Sequence, residues 1–213
     1  MSRSERSETE PTMNTITTAG GGASTAARVD LLLSDVGSVR VKAIRGEDAL
    51  SSLFQFELWA EHEFAEAPPS AESLLGVSAQ LILRDVWGSE RRIQAIVAEF
   101  EIGSNERGGC SLRVQLRPRT HLLTLGKDSR TFRDLSVVEI AQQVLAGYGV
   151  EARFELVQSY PKRAYVAQYE ESDFDFLSRL LEEEGIFYFH DHASESVLVI
   201  GDHSTSAAEL DQG

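Results

Sequence analysis

His190-Asp191-His192, followed downstream by Asp202-His203, is the densest set of ligand-type side chains in the sequence. Histidines two apart on a strand point the same way. A two-His clamp with nearby carboxylates is a geometry that zinc accepts, and it would suit a metal-dependent hydrolase or effector. The competing expectation is structural, with His190 packed on a strand and His192 beside a turn. Cys110 follows Gly108-Gly109 and could be a nucleophile, but no His neighbours it in sequence, and a lone Cys is most often a small buried hydrophobe. Glu182-Glu183-Glu184 could supply paired acids for glycoside hydrolysis, yet successive helical residues face different directions. There is no His-Glu-x-x-His, no Gly-x-Ser-x-Gly elbow and no phosphate loop. No residue is therefore assigned as catalytic, cofactor-binding or metal-ligating, and no cofactor is expected.

The elements that must carry these residues are clearest between Gln168 and Tyr188. Ser172 or Asp173 can cap a helix, because a short side-chain oxygen accepts from a free N–H of the first turn. Asp173 and Asp175 place negative charge at the positive end of the helix dipole. Phe176, Leu177, Leu180 and Leu181 recur at helical spacing as one apolar stripe. Gly185 stands where a left-handed residue would stop the helix, and a β-prone run, Ile186 to Phe189, follows.

This run resembles the valine-glycine repeat (VgrG) spike proteins of type VI secretion systems, which are similar to the hub proteins of contractile phage tails. The matching pattern is Gln168-Tyr169, an acidic residue, Ser172-Asp173, Phe176, Arg179-Leu180-Leu181-Glu182 and Glu184-Gly185-Ile186. Upstream, Leu50 to Leu58, Leu74-Leu75-Gly76, Pro118, Leu122, Leu123, Arg130, Phe132, Ser136-Val137, Tyr160-Pro161 and Tyr165 continue the resemblance. Leu198 to Asp202 looks like its closing strand. Two departures are Gln94-Ala95, where the family usually has His-Gly, and His190, where an aromatic is usual.

Charge and composition narrow the function classes. The 213 residues are 42% apolar, enough to bury a core. No apolar run approaches the roughly 20 residues of a membrane span, and the N-terminus has no signal-peptide pattern. A net charge of −14 repels phosphate backbones, so nucleic-acid binding is not expected. The single Cys excludes an internal disulfide.

Patterning predicts an α+β fold: an antiparallel β-barrel-like domain, then a mixed α/β domain with two main helices, like a contractile phage tail hub. Residues 1–28, rich in Ser, Thr, Gly and Glu, are expected to be a disordered leader. Residues 29–118 form the barrel-like domain, with strands near Val29–Leu33, Val39–Ile44, Leu53–His62, Val77–Val86, Arg91–Ile102 and Ser111–Arg117. Phe64 to Ser73 reads as a long loop and Asn105 to Gly109 as a hairpin loop. Trp59 falls on the polar side of its strand, and open strand edges are expected to seek partners. Residues 119–203 form the α/β domain. Its first helix, about 136–146, opens on the capping box Ser136 to Glu139 and stops at Gly147. Its second runs about 173–184. Residues 204–213 are a tail or truncation point.

The resemblance implies a structural function: the hub part of a type VI secretion spike, docking on the hexamers of the tube protein and helping deliver effectors, directly or through adaptors. It implies a homotrimer for the full-length family, held by a C-terminal needle that these 213 residues lack, so weak self-association is expected here. It also implies a cytoplasmic protein that the type VI machinery then secretes. A prophage tail hub is the alternative within that class.

Overall fold

The computed structural model describes residues 16–17, 28–34, 36–64, 68–104 and 109–206. Period-two alternation in the first half yields β2 (Arg28–Leu33), β3 (Gly37–Glu47), β4 (Gln55–His62), β5 (Ser78–Arg84), β6 (Glu90–Ser104) and β7 (Cys110–Arg117), after a two-residue β1 (Ile16–Thr17). All neighbours are antiparallel. The order runs β2, β5, β6, β7, β4, β3 and back to β2, so these six strands close a barrel. Closure corrects the expectation of open strand edges, because each strand finds a partner on both sides. The register sets Leu31 against Leu81, Leu81 against Ile93 and Leu58 against Val114. These residues are fully buried, with Val39, Phe54 and Leu116, in one apolar core. Register shifts between Val41 and Ala43 and between Val97 and Glu99 let the two longest strands bend around it.

Two local expectations change, and the hairpin between the last two barrel strands holds. Part of the long loop becomes α1 (Ala71–Leu74), because the Ser70 hydroxyl accepts from the Ser73 N–H and caps it. In the leader, Ile16 and Thr17 pair with Ile44 and Ala43 of β3, while the rest of residues 1–27 lies outside the described residues. Asn105 to Gly108 also lie outside them, but Ser104 pairs with Cys110, so β6 and β7 form a hairpin.

A 3-10 turn (Arg119–Thr124) leads into β8 (Asp128–Phe132), α2 (Val137–Gly147), β9 (Ala152–Glu155), β10 (Val166–Glu171), α3 (Asp173–Glu183), β11 (Phe187–Asp191) and β12 (Val197–Gly201). β8 and β10 make a two-stranded ribbon; β12 lies between antiparallel β11 and parallel β9. The Ser136–Glu139 capping box forms in full. Val137, Ile140, Ala141, Val144 and Leu145 of α2 meet Phe176, Leu177, Leu180 and Leu181 of α3 in a second core. There the Phe132 and Phe176 rings stack at 5.4 Å.

Both helices end in a Schellman motif, and this moves one stop signal. After α3, Ile186 N–H reaches Leu181 C=O and Gly185 N–H reaches Glu182 C=O, with Gly185 at φ +69° as its position suggested. After α2, the same two bonds come from Val150 and Gly149, and the left-handed residue is Gly149 (φ +61°). Gly147 is the last helical residue instead, because Tyr148 extends the helix as its C-cap.

The two cores meet along a polar seam. Ser51 N–H donates to Tyr188 C=O at 2.7 Å, and Gln94 N–H donates to the Ser196 hydroxyl at 2.8 Å.

Candidate functional site

The run from Gln168 to Gly185 builds a buried polar knot. Ser172, not Asp173, caps α3, its hydroxyl accepting from Asp175 N–H at 3.0 Å. Asp173 is thereby free to turn inward, where it is only 5% exposed. A buried carboxylate must have its acceptor sites filled. Oδ1 accepts from the Arg130 guanidinium at 2.5 Å and from Gln168 Nε2 at 2.7 Å; Oδ2 accepts from the Tyr148 hydroxyl at 2.8 Å. Gln168 closes the ring, accepting from Arg130 Nε at 2.9 Å and donating to Glu171 C=O. The hydrogen bond to Asp173 raises the Tyr148 phenol above its ordinary pKa, and burial adds to it. Arg130 also lies over the Phe132 ring. β8, α2, β10 and α3 are thus tied at one point. No buried side-chain polar atom of the knot lacks a partner, which is the chemistry of a brace.

The His/Asp cluster separates. His190 and His192 do face one way, both rings packing against Phe54 at 5.0 and 5.2 Å. His190 is buried in β11, with Nε2 near the Thr120 hydroxyl at 3.4 Å. Burial pushes its pKa down to about 4. His192 lies beyond the strand, with Nε2 on Asp48 at 3.0 Å and Nδ1 on Ser196 at 2.7 Å, so both ring nitrogens are engaged. Burial alone would raise Asp48, but the His192 bond and the nearby Arg91 bring it below its usual value. Asp202 serves elsewhere: it accepts from the Val157 and Gln158 N–H groups and the Tyr160 hydroxyl. Among the described residues, no three His, Cys, Asp or Glu side chains are grouped to hold a metal ion.

The remaining candidates disperse as well. Cys110 is half-buried at the start of β7, and on the β4 side its cross-strand partner is His62, a neighbour that sequence order hides. The His62 ring packs against Phe64 at 4.4 Å. In the acidic run, Glu183 pairs with Arg163 and Arg179, Glu184 pairs with Arg163, and Glu182 faces solvent. Asp48 is what sequence reasoning missed. It lies far from His192 in the chain, and the two meet only where the α/β half packs on the end of the barrel.

A family model described as phage tail baseplate hub (GPD) matches residues 47–213, the stretch that holds the knot, the seam and most of the barrel. The chain belongs to the phage tail baseplate hub family. The type VI secretion system spike protein VgrG5 of Pseudomonas aeruginosa is 39% identical over 176 residues, which cover 80% of this chain and 22% of that protein. The chain thus spans about a fifth of the length of the curated relatives it matches. Among solved structures, the Escherichia coli c3393 protein, a type VI secretion component with structural similarity to the T4 tail proteins gp27 and gp5, superimposes with a TM-score of 0.66 at 25% identity. The match covers 84% of this chain and 47% of that one. The 43 kDa tail protein of prophage MuSo2 from Shewanella oneidensis shares the fold, with a TM-score of 0.59 at 16% identity over 82% of this chain and 53% of that one. These likenesses agree with the barrel followed by a mixed α/β part. In this hub family member, six residues of the resemblance read in the sequence, Arg130, Phe132, Gln168, Ser172, Asp173 and Phe176, fall in the knot and the core around it.

Proposed function

We propose that this chain acts as the hub part of a type VI secretion spike, a structural piece of a contractile injection machine and not an enzyme. The observation that carries the reading is the 39% identity to a type VI spike protein over 80% of this chain. A prophage tail hub is the second reading. The fold suits it, but its solved example is 16% identical, which supports the fold alone. Each core would be one hub domain, residues 29–118 and 119–203, with residues 1–28 as a leader and 204–213 as a tail. The hub would dock on the hexameric tube protein, trimerise within the longer protein, carry effectors or adaptors, and leave the cytoplasm through the machine itself. Among the described residues, no helix is long and apolar enough to cross a membrane. Docking would use the barrel surface, where Trp59 on β4 is 38% exposed, beside Arg113 of β7. Affinity purification of the tagged gene product from cells with an assembled machine tests the reading. Tube protein should come down with it; tail-fibre and capsid proteins in its place would move the reading to the prophage.

A further inference from the structure

Among the described residues, one buried side-chain polar atom has no hydrogen-bond partner: Nδ1 of His190. The residue is 6% exposed and stands where the two cores meet. Phe54, fully buried at the barrel end, sets its ring edge against both His190 and His192. Around these rings lie the bonds that join the halves: Ser51 to Tyr188, Gln94 to Ser196, and Asp48 to His192.

The two rings are partnered unequally. Both nitrogens of His192 are engaged, one by Asp48 and one by the Ser196 hydroxyl. His190 has the weak Thr120 contact on Nε2 and nothing on Nδ1, so a cation there would be buried with one donor unmet. The charged and titratable groups that face it are Asp48 from the chain after β3 and His192 from the turn after β11. Arg91 of β6 reaches Asp48 and spends part of its charge. The 3-10 turn contributes neutral Thr120, and β12 sets apolar Leu198 opposite.

We propose that His190 is an acid-operated latch between the barrel and the α/β half: neutral, it keeps the seam closed, and on taking a proton it lets the seam open while each core stays folded. The linkage has a definite sign. A side chain whose pKa is depressed by burial takes protons more readily when released, so acid favours the open form. With about 4 in the closed form and an ordinary value near 6.5 when released, the open population should rise roughly 30-fold between pH 7.5 and pH 5.

Amide hydrogen exchange on the full chain, corrected for the intrinsic pH dependence of exchange, reads this directly. Protection of the Ser51 and Gln94 amides should fall by roughly that factor at pH 5. The Val97 amide of the barrel and the Phe176 amide of α3 should hold. His190→Phe keeps a ring in place without a titrating nitrogen, and its seam amides should be indifferent to pH. Unchanged seam protection in the wild type, or the same loss in His190→Phe, would overturn the latch. If that variant does not fold, the ring resonances of wild-type His190 decide: a midpoint below pH 5 supports the latch, and one near 6.5 contradicts it.

Discussion

The Tyr148 hydroxyl donates to Asp173 Oδ2 at 2.8 Å, joining the C-cap of one helix to the first residue of the other. Two helices that a sequence reading treats separately are locked at opposite polarity through one carboxylate. Asp173→Ala would leave the Arg130 guanidinium and Gln168 without their acceptor, and should destabilise the protein by about 3 kcal/mol. Tyr148→Phe removes one donor of three and should cost about 1 kcal/mol. Urea unfolding checks both; equal costs would mean that the knot does not act as a hub for its donors.

The helix stops give a sharper test. Gly149→Ala and Gly185→Ala each force a Cβ into a left-handed conformation, and each should cost about 1 kcal/mol. Gly147 has an ordinary helical position and open space where a Cβ would go, so Gly147→Ala should be neutral or stabilise by up to about 1 kcal/mol. Thermal melts of the three variants should therefore split two against one.

Much of this architecture was legible in the sequence, and the failures have physical causes. The capping box at Ser136, the apolar stripe of α3 and the stop at Gly185 are encoded within a few residues, where periodicity and capping rules operate. Gly147 misled because two glycines lie within one turn's reach, and a tyrosine cap between them settles which one is left-handed. The barrel-like sheet was legible, but the absence of open edges was not, because the return of the last strand to the first depends on bends at Val41 and Val97 that no local pattern announces. Asp48 meets His192 only because the α/β half docks on the barrel end, a contact between residues 144 apart in the chain. The His/Asp cluster looked like chemistry because its spacing is right, but β11 ends between the two histidines and Asp202 is bound by the chain after β9.

Tyr160 sets an alkaline limit. Burial, together with the hydrogen bond to Asp202, pushes its phenol up to about 12. Its folded pKa lies above the unfolded one, so the contribution to stability is fully present below pH 10 and is lost as pH rises through 12. Ultraviolet titration should show that of the five tyrosines at least one stays protonated until about pH 12. Tyr160→Phe should remove that late step. If the step persists, the Asp202 contact is not what holds the phenol.

The closed barrel bears on assembly. With its six strands paired on both sides, the barrel has no strand edge along which copies would add. The isolated 213-residue chain should therefore run as a monomer, or associate weakly through patches such as that around Trp59. Light scattering across a hundredfold dilution checks this; a trimer that survives dilution would place a strong threefold interface within this stretch.

The proposed role as a piece of the injection machine is tested by what the machine releases. The most direct measurement is release of tube protein into the medium by cells from which the gene carrying this chain has been deleted, with other spike genes absent. Release should fall to background. It should return with the wild-type gene and with a gene carrying His192→Ala or Cys110→Ser, since neither side chain is asked to perform chemistry. Release that continues without the gene, or that the wild-type gene restores and these two substitutions abolish in a stably folded protein, would contradict the account.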